Sequence, residues 1–262
     1  MSSICVLTDS AVQFTQPGFA GRDDVRVIPF DVELNGIIYP EGEGTRAINL
    51  PPYAGNGLKP RLLAPSSEKF YQVFVSLSSH YREVVAVLTS CELSQAYANA
   101  EKAAAAVKSQ ITVTLIDSMT TSVGLGLLVQ IAAEAAAQDM HLMEIERRVR
   151  KAVPRVYTII STVGLSYLSQ SGFVDPAQAV VGELLGLIPI FSLEEGKLSA
   201  IEKARNQRGV LDFFQEFLSE FDNLQHIAFV QGIPPFNHEA HLLREHSQVP
   251  RPPAKREHIE NR

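Results

Sequence analysis

Ile4-Cys5-Val6-Leu7-Thr8-Asp9-Ser10, Val85-Ala86-Val87-Leu88-Thr89-Ser90 and Val113-Thr114-Leu115-Ile116-Asp117-Ser118 share one design. Each is a short apolar run, rich in β-branched residues, of the kind that forms a strand buried on both faces. Each ends on small oxygen-bearing side chains, and helix-compatible sequence follows the last two. Alternating strand and helix predicts a parallel sheet covered by helices. In such a sheet, ligands bind outside the carboxyl ends of the strands. The polar tips fall there and point to a small polar or anionic ligand, without specifying a reaction.

Sequence around these runs extends the pattern. Val25–Val32 reads as an edge or extended segment because of Pro29, and Asn35-Gly36 turns the chain into Ile37-Ile38-Tyr39. Residues 40–65 read as a loop. Pro65-Ser66-Ser67-Glu68 opens a helix with Phe70, Val73, Phe74 and Leu77 on one face. Further helices are predicted over Leu93–Lys108, Val123–Ala137 and Leu142–Val153. Beyond Pro154 come a strand (Val156–Ser161), short helices from Gly164 and Pro176, and a hairpin turning at Glu195-Gly196. An amphipathic helix (Gly209–Phe221), a strand (His226–Gln231) and a short helix (Asn237–Arg244) follow. The expected division is an N-terminal α/β domain (1–154), a C-terminal α/β domain with a mixed or antiparallel sheet (155–249) and a polar tail (250–262).

Composition narrows the function classes. A chain of 262 residues with 45% hydrophobic residues can bury a sizeable core without staples. Its formal charge of −6 argues against a nucleic-acid partner. Cys5 and Cys91 have no metal-ligand spacing and read as buried, inert thiols. No run reaches the length of a membrane span, and no charged leader precedes an apolar segment, so a cytoplasmic protein is expected.

The polar tips admit two readings. Asp9-Ser10 and Asp117-Ser118 can hold a ligand through hydroxyls and amides, or they can simply cap turns and helices. Ser90-Cys91-Glu92-Leu93-Ser94 leads into a helix, and Ser94 is expected in its first turn, where free amides favour an anion. Capping competes there too. No Gly-x-Ser-x-Gly elbow is present, and His238 and His241, at i,i+3, lack a third ligand. Gly124-Leu125-Gly126 reads as a helix-packing motif rather than a dinucleotide fingerprint.

Several stretches in order resemble the DegV family of bacterial fatty-acid-binding proteins. They are Thr8-Asp9-Ser10, Ile28-Pro29-Phe30, Pro65-Ser66, Leu93-Ser94 with Tyr97 and Ala100, and Ile116-Asp117-Ser118 with Gly124. Thr162-Val163-Gly164-Leu165-Ser166-Tyr167-Leu168, Gly182-Glu183-Leu184-Leu185-Gly186-Leu187-Ile188-Pro189-Ile190, Gly196-Lys197 and the helix from Gly209 continue the match to about residue 230. The resemblance implies a two-domain α/β carrier that encloses a long-chain fatty acid between its lobes, with no other cofactor. It also implies a fatty-acid kinase as partner, which phosphorylates the bound carboxylate, so that the binding subunit is not itself an enzyme. An enclosed acyl chain suits the physics, since each buried methylene contributes about 0.8 kcal/mol.

Carried over residue by residue, the resemblance makes Ser94 the head-group donor, with Ser10 and Ser90 beside it. Where the family has Thr-Ser-Gln-Pro, this chain has Leu62-Leu63-Ala64-Pro65. Its Leu-Ser-Gly-Thr becomes Leu93-Ser94-Gln95-Ala96, and its Gly-Gly-Arg becomes Ser171-Gly172-Phe173. The C-terminal His-x-Gly-Pro-Gly segment has no counterpart. Leu62, Leu63 and Phe173, which replace polar positions, are the expected lipid-lining residues, with core packing as their alternative. A degenerate interaction protein without lipid, or a hydrolase using Ser10 or Ser94, are the competing functions.

Overall fold

The structure, a computed structural model, describes residues 4–34, 36–40, 60–162, 164–231 and 259–260. These fall into two compact units. One takes its residues from Met1–Thr45, Lys59–Thr158 and Ser192–Ser199, the other from Arg46–Leu58, Ile159–Phe191 and Ala200–Arg262.

In the first unit, strands β1 (Ile4–Asp9), β2 (Val25–Ile28), β6 (Glu83–Leu88) and β7 (Thr112–Asp117) form an all-parallel sheet in the order β2-β1-β6-β7. The three runs with polar tips are thus adjacent central and edge strands of one sheet, as their composition predicts. Alternation along β1 divides the core. Cys5 and Leu7 pack with Phe70, Phe74 and Ala100 of helices α1 (Ser67–Ser78) and α2 (Ala96–Val107). Ile4 and Val6 pack on the opposite face, with Leu125, Leu128 and Ile145 of α3 (Ser122–Ala137) and α4 (Leu142–Ala152). That period of two is what a strand buried on both faces requires.

Local chemistry sets several boundaries. Ser66 caps α1 by accepting the Lys69 amide, as the sequence predicts. Gly126 lets α3 approach the 9–14 loop so closely that a Cβ there would overlap the Gln13 carbonyl, so the packing reading of Gly124-Leu125-Gly126 holds. The Val25–Val32 segment is not continuous. It breaks at Pro29, so that β2 stays in the parallel sheet and β3 (Asp31–Leu34) joins an antiparallel sheet with β4 (Ile37–Pro40) and β5 (Pro60–Leu63). The loop expected over 40–65 therefore ends in a strand whose Pro60 sits at its first residue, where no ladder amide is needed. Residues 41–59 lie outside the described residues.

β8 (Ile159–Ser161), β9 (Ile188–Glu194) and β10 (Lys197–Ala204) form a three-stranded sheet in the order β10-β9-β8, whose β9–β10 tip, Ser192–Ser199, belongs to the first unit and whose remaining residues belong to the second. Helices α5 (Ser166–Gln170) and α6 (Pro176–Leu184) each end on a left-handed glycine, Gly172 or Gly186. In both, the following amide reaches back five residues, Phe173 to the Leu168 carbonyl and Leu187 to that of Gly182. Helix α7 (Gln207–Ser219) is capped by Asn206. The strand expected over His226–Gln231 is short, β11 (Val230–Gln231), and pairs in parallel with β12 (Ile259–Glu260), two residues of the expected tail. The helix expected over Asn237–Arg244, with His238 and His241, lies outside the described residues. None of the described helices is long and apolar enough to cross a membrane.

Gly126 provides a direct test of this packing. Gly126→Ala is expected to lower unfolding free energy by about 1–3 kcal/mol in urea titration, because backbone must move to admit the methyl group. Unchanged stability would mean that α3 does not approach the 9–14 loop as described.

Candidate functional site

Strand order reverses between β1 and β6, since the chain passes from β1 outward to β2 and then returns to β6 on the other side. The carboxyl ends at such a switch point form the usual ligand crevice of an open α/β sheet. Here the crevice is bridged by the protein itself. The buried Asp9 carboxylate accepts the Thr89 amide at 2.7 Å, the Thr89 hydroxyl at 2.8 Å and the Ala11 amide at 3.1 Å. Asp9 is therefore a cross-strand tie. Thr8, Thr89, Ser90, Ser118 and Thr120 at the strand ends are also buried, and the Thr8 hydroxyl oxygen has no hydrogen-bond partner.

The serines differ in how far their hydroxyls are committed. Ser90 is buried and donates to the Gly196 carbonyl at 2.8 Å while accepting the Glu92 amide. Its one hydrogen is spent on the β9–β10 tip. Ser10 accepts the Phe30 amide at 2.9 Å, and Ser94 accepts that of Ala96 at 3.1 Å. Both are partly exposed, and neither hydroxyl donates to an acceptor among the described residues. Ser94 does not lie in the first turn of α2. The Ser90 carbonyl takes the amides of Leu93 and Ser94, forming a turn that delays the helix to Ala96. Ser94 thus stands just ahead of the helix, with its hydroxyl held by the Ala96 amide.

Asp117-Ser118 is occupied in a different way. Asp117 accepts the amides of Met119 (2.9 Å) and Cys91 (3.4 Å), and Ser118 exchanges hydrogen bonds with Thr120. These bonds shape the loop before α3, whose N-cap, Thr121, makes no side-chain cap bond. Cys5 is buried as expected, whereas Cys91 is exposed because it occupies the turn beyond β6 rather than the strand. A hydrogen bond to Asp117, followed by partial burial, raises the Cys91 thiol from 9.0 to about 11.

Leu62 and Leu63 are not equivalent. Cross-strand partners share a face, and Leu62 pairs with Val32, which pairs with Tyr39. Leu34 pairs with Ile37 on the same face, making it apolar throughout, with Leu62 64% and Ile37 57% exposed. Leu63 lies opposite, with Asp31 and Glu33, which pair with Lys69 and Arg61 at 3.4 Å. The Asn99 side chain donates to the Pro65 carbonyl at 2.9 Å, tying the exit of β5 to α2 five residues after Ser94. Phe173, 39% exposed, belongs to the second unit and is placed by the α5 stop. Val32, Leu34, Ile37 and Tyr39 did not stand out among the candidate residues. Their signal was the period-two pattern Val32-x-Leu34 and Ile37-x-Tyr39 on either side of the turn.

The raised Cys91 thiol has a kinetic consequence. Only the thiolate reacts, so iodoacetamide labelling of Cys91 should climb about tenfold per pH unit up to about pH 10, without levelling near 9. Asp117→Asn should bring the plateau down towards the ordinary range and speed labelling at pH 8. A wild-type plateau below pH 9 would rule out the Cys91–Asp117 contact.

Comparison with known proteins places this arrangement in a family. Residues 3–247 match the model of the DegV family, described as uncharacterised proteins. A DegV domain-containing protein of Caldanaerobacter subterraneus is 27% identical over 219 residues, covering 83% of this chain and 77% of that one. Among solved structures, a DegV family protein of Thermus thermophilus, described as binding fatty acid, superposes with a TM-score of 0.78 at 26% identity, over 98% of this chain and 91% of that one. A DegV family protein of Eubacterium eligens loaded with heptadecanoic acid shares the fold at 17% identity, with a TM-score of 0.78 over 98% and 91% of the two chains. With its family model spanning nearly the whole sequence and its parallel sheet ending in Asp9-Ser10, Ser90 and Asp117-Ser118, the chain belongs to the DegV family.

Proposed function

We propose that this protein binds a long-chain fatty acid, with Ser94 as a hydrogen-bond donor to the carboxylate and the apolar face of the β4-β3-β5 sheet as acyl contact surface. One observation carries the reading. A hydroxyl with an uncommitted hydrogen stands just ahead of α2, five residues before Asn99, whose side chain ties Pro65, at the exit of β5, to that helix. An amphiphile needs a donor for its head and apolar surface for its tail, and Leu62, Val32 and Ile37 supply the latter. Fatty-acid binding by the Thermus protein and the heptadecanoic acid carried by the Eubacterium protein support the same ligand class.

Ser10, whose hydroxyl hydrogen is likewise uncommitted, is a second proposed donor. Ser90 serves the site indirectly by anchoring the hairpin tip. Leu63 and Phe173 remain proposed acyl contacts, the first on the other face of β5 and the second from the second unit. The protein acts in this reading as a carrier, and any phosphorylation of the carboxylate falls to a fatty-acid kinase partner.

Native mass spectrometry of the purified protein is expected to show a co-purified fatty acid. After delipidation, Ser94→Ala should weaken palmitate binding by roughly tenfold to a hundredfold, the loss of one hydrogen bond to a charged group. Leu62→Ser should weaken it by a smaller factor that grows with chain length. Absence of both a native lipid and any measurable titration with C14–C18 acids would overturn the proposal.

A further inference from the structure

Two residues other than glycine with left-handed backbones flank one contact. Met119 (φ 52°) lies in the loop after β7, and Glu195 (φ 50°) lies at the tip of the β9–β10 hairpin. Gly196 follows at φ 82°, so both central residues of the turn are positive, the geometry that hairpins prefer to build from Asn-Gly. Gly196 is pressed onto the carboxyl end of the sheet. A Cβ there would overlap the Ser90 hydroxyl and come 3.4 Å from the Met119 Cα. Residues held in such conformations persist where their surroundings over-determine them, and they cluster at ligand clamps.

The tip also delivers a charge. Lys197, directly after Gly196, holds its ammonium 3.8 Å from the Glu92 carboxylate, with side chains 65% and 43% exposed. Glu92 lies in the Ser90–Ser94 turn, two residues before the uncommitted Ser94 hydroxyl. The tip is thus fixed at Gly196 by Ser90 and loosely tied at Lys197 by Glu92. An exposed, long ion pair contributes little and is readily given up. A carboxylate arriving beside Ser94 offers the ammonium a charge-assisted bond instead.

We propose that the tip Glu195-Gly196-Lys197 is a head-group clasp, in which Lys197 exchanges Glu92 for the carboxylate of the bound ligand and selects acids over neutral amphiphiles. This rests on the fatty-acid reading above and assigns the site its charge selectivity. No covalent step is involved. Glu92 acts as the competitor that keeps Lys197 in place in the empty protein.

The experiment uses the delipidated full-length protein, titrated with palmitate and with hexadecanol at low and high salt. Lys197→Ala should weaken palmitate by about tenfold at low salt and by less at high salt, leaving hexadecanol within about twofold. Lys197→Arg should restore palmitate to within about threefold of wild type. Glu92→Gln, by freeing the lysine, should tighten palmitate by roughly twofold to threefold. Equal weakening of both ligands by Lys197→Ala, or no effect on either, would overturn the clasp while leaving fatty-acid binding intact. A wild-type protein that binds neither ligand would overturn the fatty-acid reading and the clasp together.

Discussion

The tie between Asp9 and Thr89 is the interaction on which the rest of the site depends. A carboxylate placed away from water is costly unless donors surround it, and Asp9 receives three, from both sides of the β1–β6 junction. Two of those bonds fix the Thr89 backbone and hydroxyl, and so the direction in which the chain leaves β6. Ser90 then faces Gly196, its carbonyl closes the turn to Ser94, and α2 starts at Ala96. Removing the Asp9 carboxylate would leave the ends of two central strands without their link. Much of the polar sequence in the crevice is therefore structural, and the open hydroxyls at Ser10 and Ser94 are exceptions that the scaffold maintains.

Most buried polar groups of the crevice are satisfied within the protein, the Thr8 hydroxyl being the exception. Asp117 and Ser118 settle their hydrogen bonds within the loop after β7, and Ser90 settles its own on Gly196. Polar and apolar groups lie on separate elements: the hydroxyls lie in the loops after the parallel strands, and the exposed apolar face belongs to a small antiparallel sheet whose other face carries the Asp31–Lys69 and Glu33–Arg61 pairs. The staple from Asn99 to Pro65 joins the two systems.

The fold was largely legible because its strongest signals are local. The three apolar runs, the Ser66 cap and the Glu195-Gly196 turn each carry a physical requirement that the residues themselves state. Other features depended on tertiary contacts that no local pattern encodes. Ser94 appeared to belong to α2 because nothing in Leu93-Ser94-Gln95-Ala96 reveals that the Ser90 carbonyl would take two amides and postpone the helix. Strand β5 was lost in a Gly- and Pro-rich stretch, since its ladder is supplied by β3 rather than by its own propensity. The Cys91 thiol looked buried because it adjoins an apolar run, yet it falls one residue past the point where the chain leaves the core.

Opposite faces of β5 impose different evolutionary freedoms on neighbouring residues. Leu62 projects from the apolar face and is 64% exposed, so exchanging it for a hydroxyl-bearing or smaller side chain costs the folded state little. Leu63, one residue on, shares its face with two ion pairs and is more enclosed. Position 62 can therefore drift between polar and apolar side chains without passing through an unstable intermediate. The chemistry of this exposed face is free to diverge along a nearly neutral path, one strand position at a time, while the sheet that carries it stays the same.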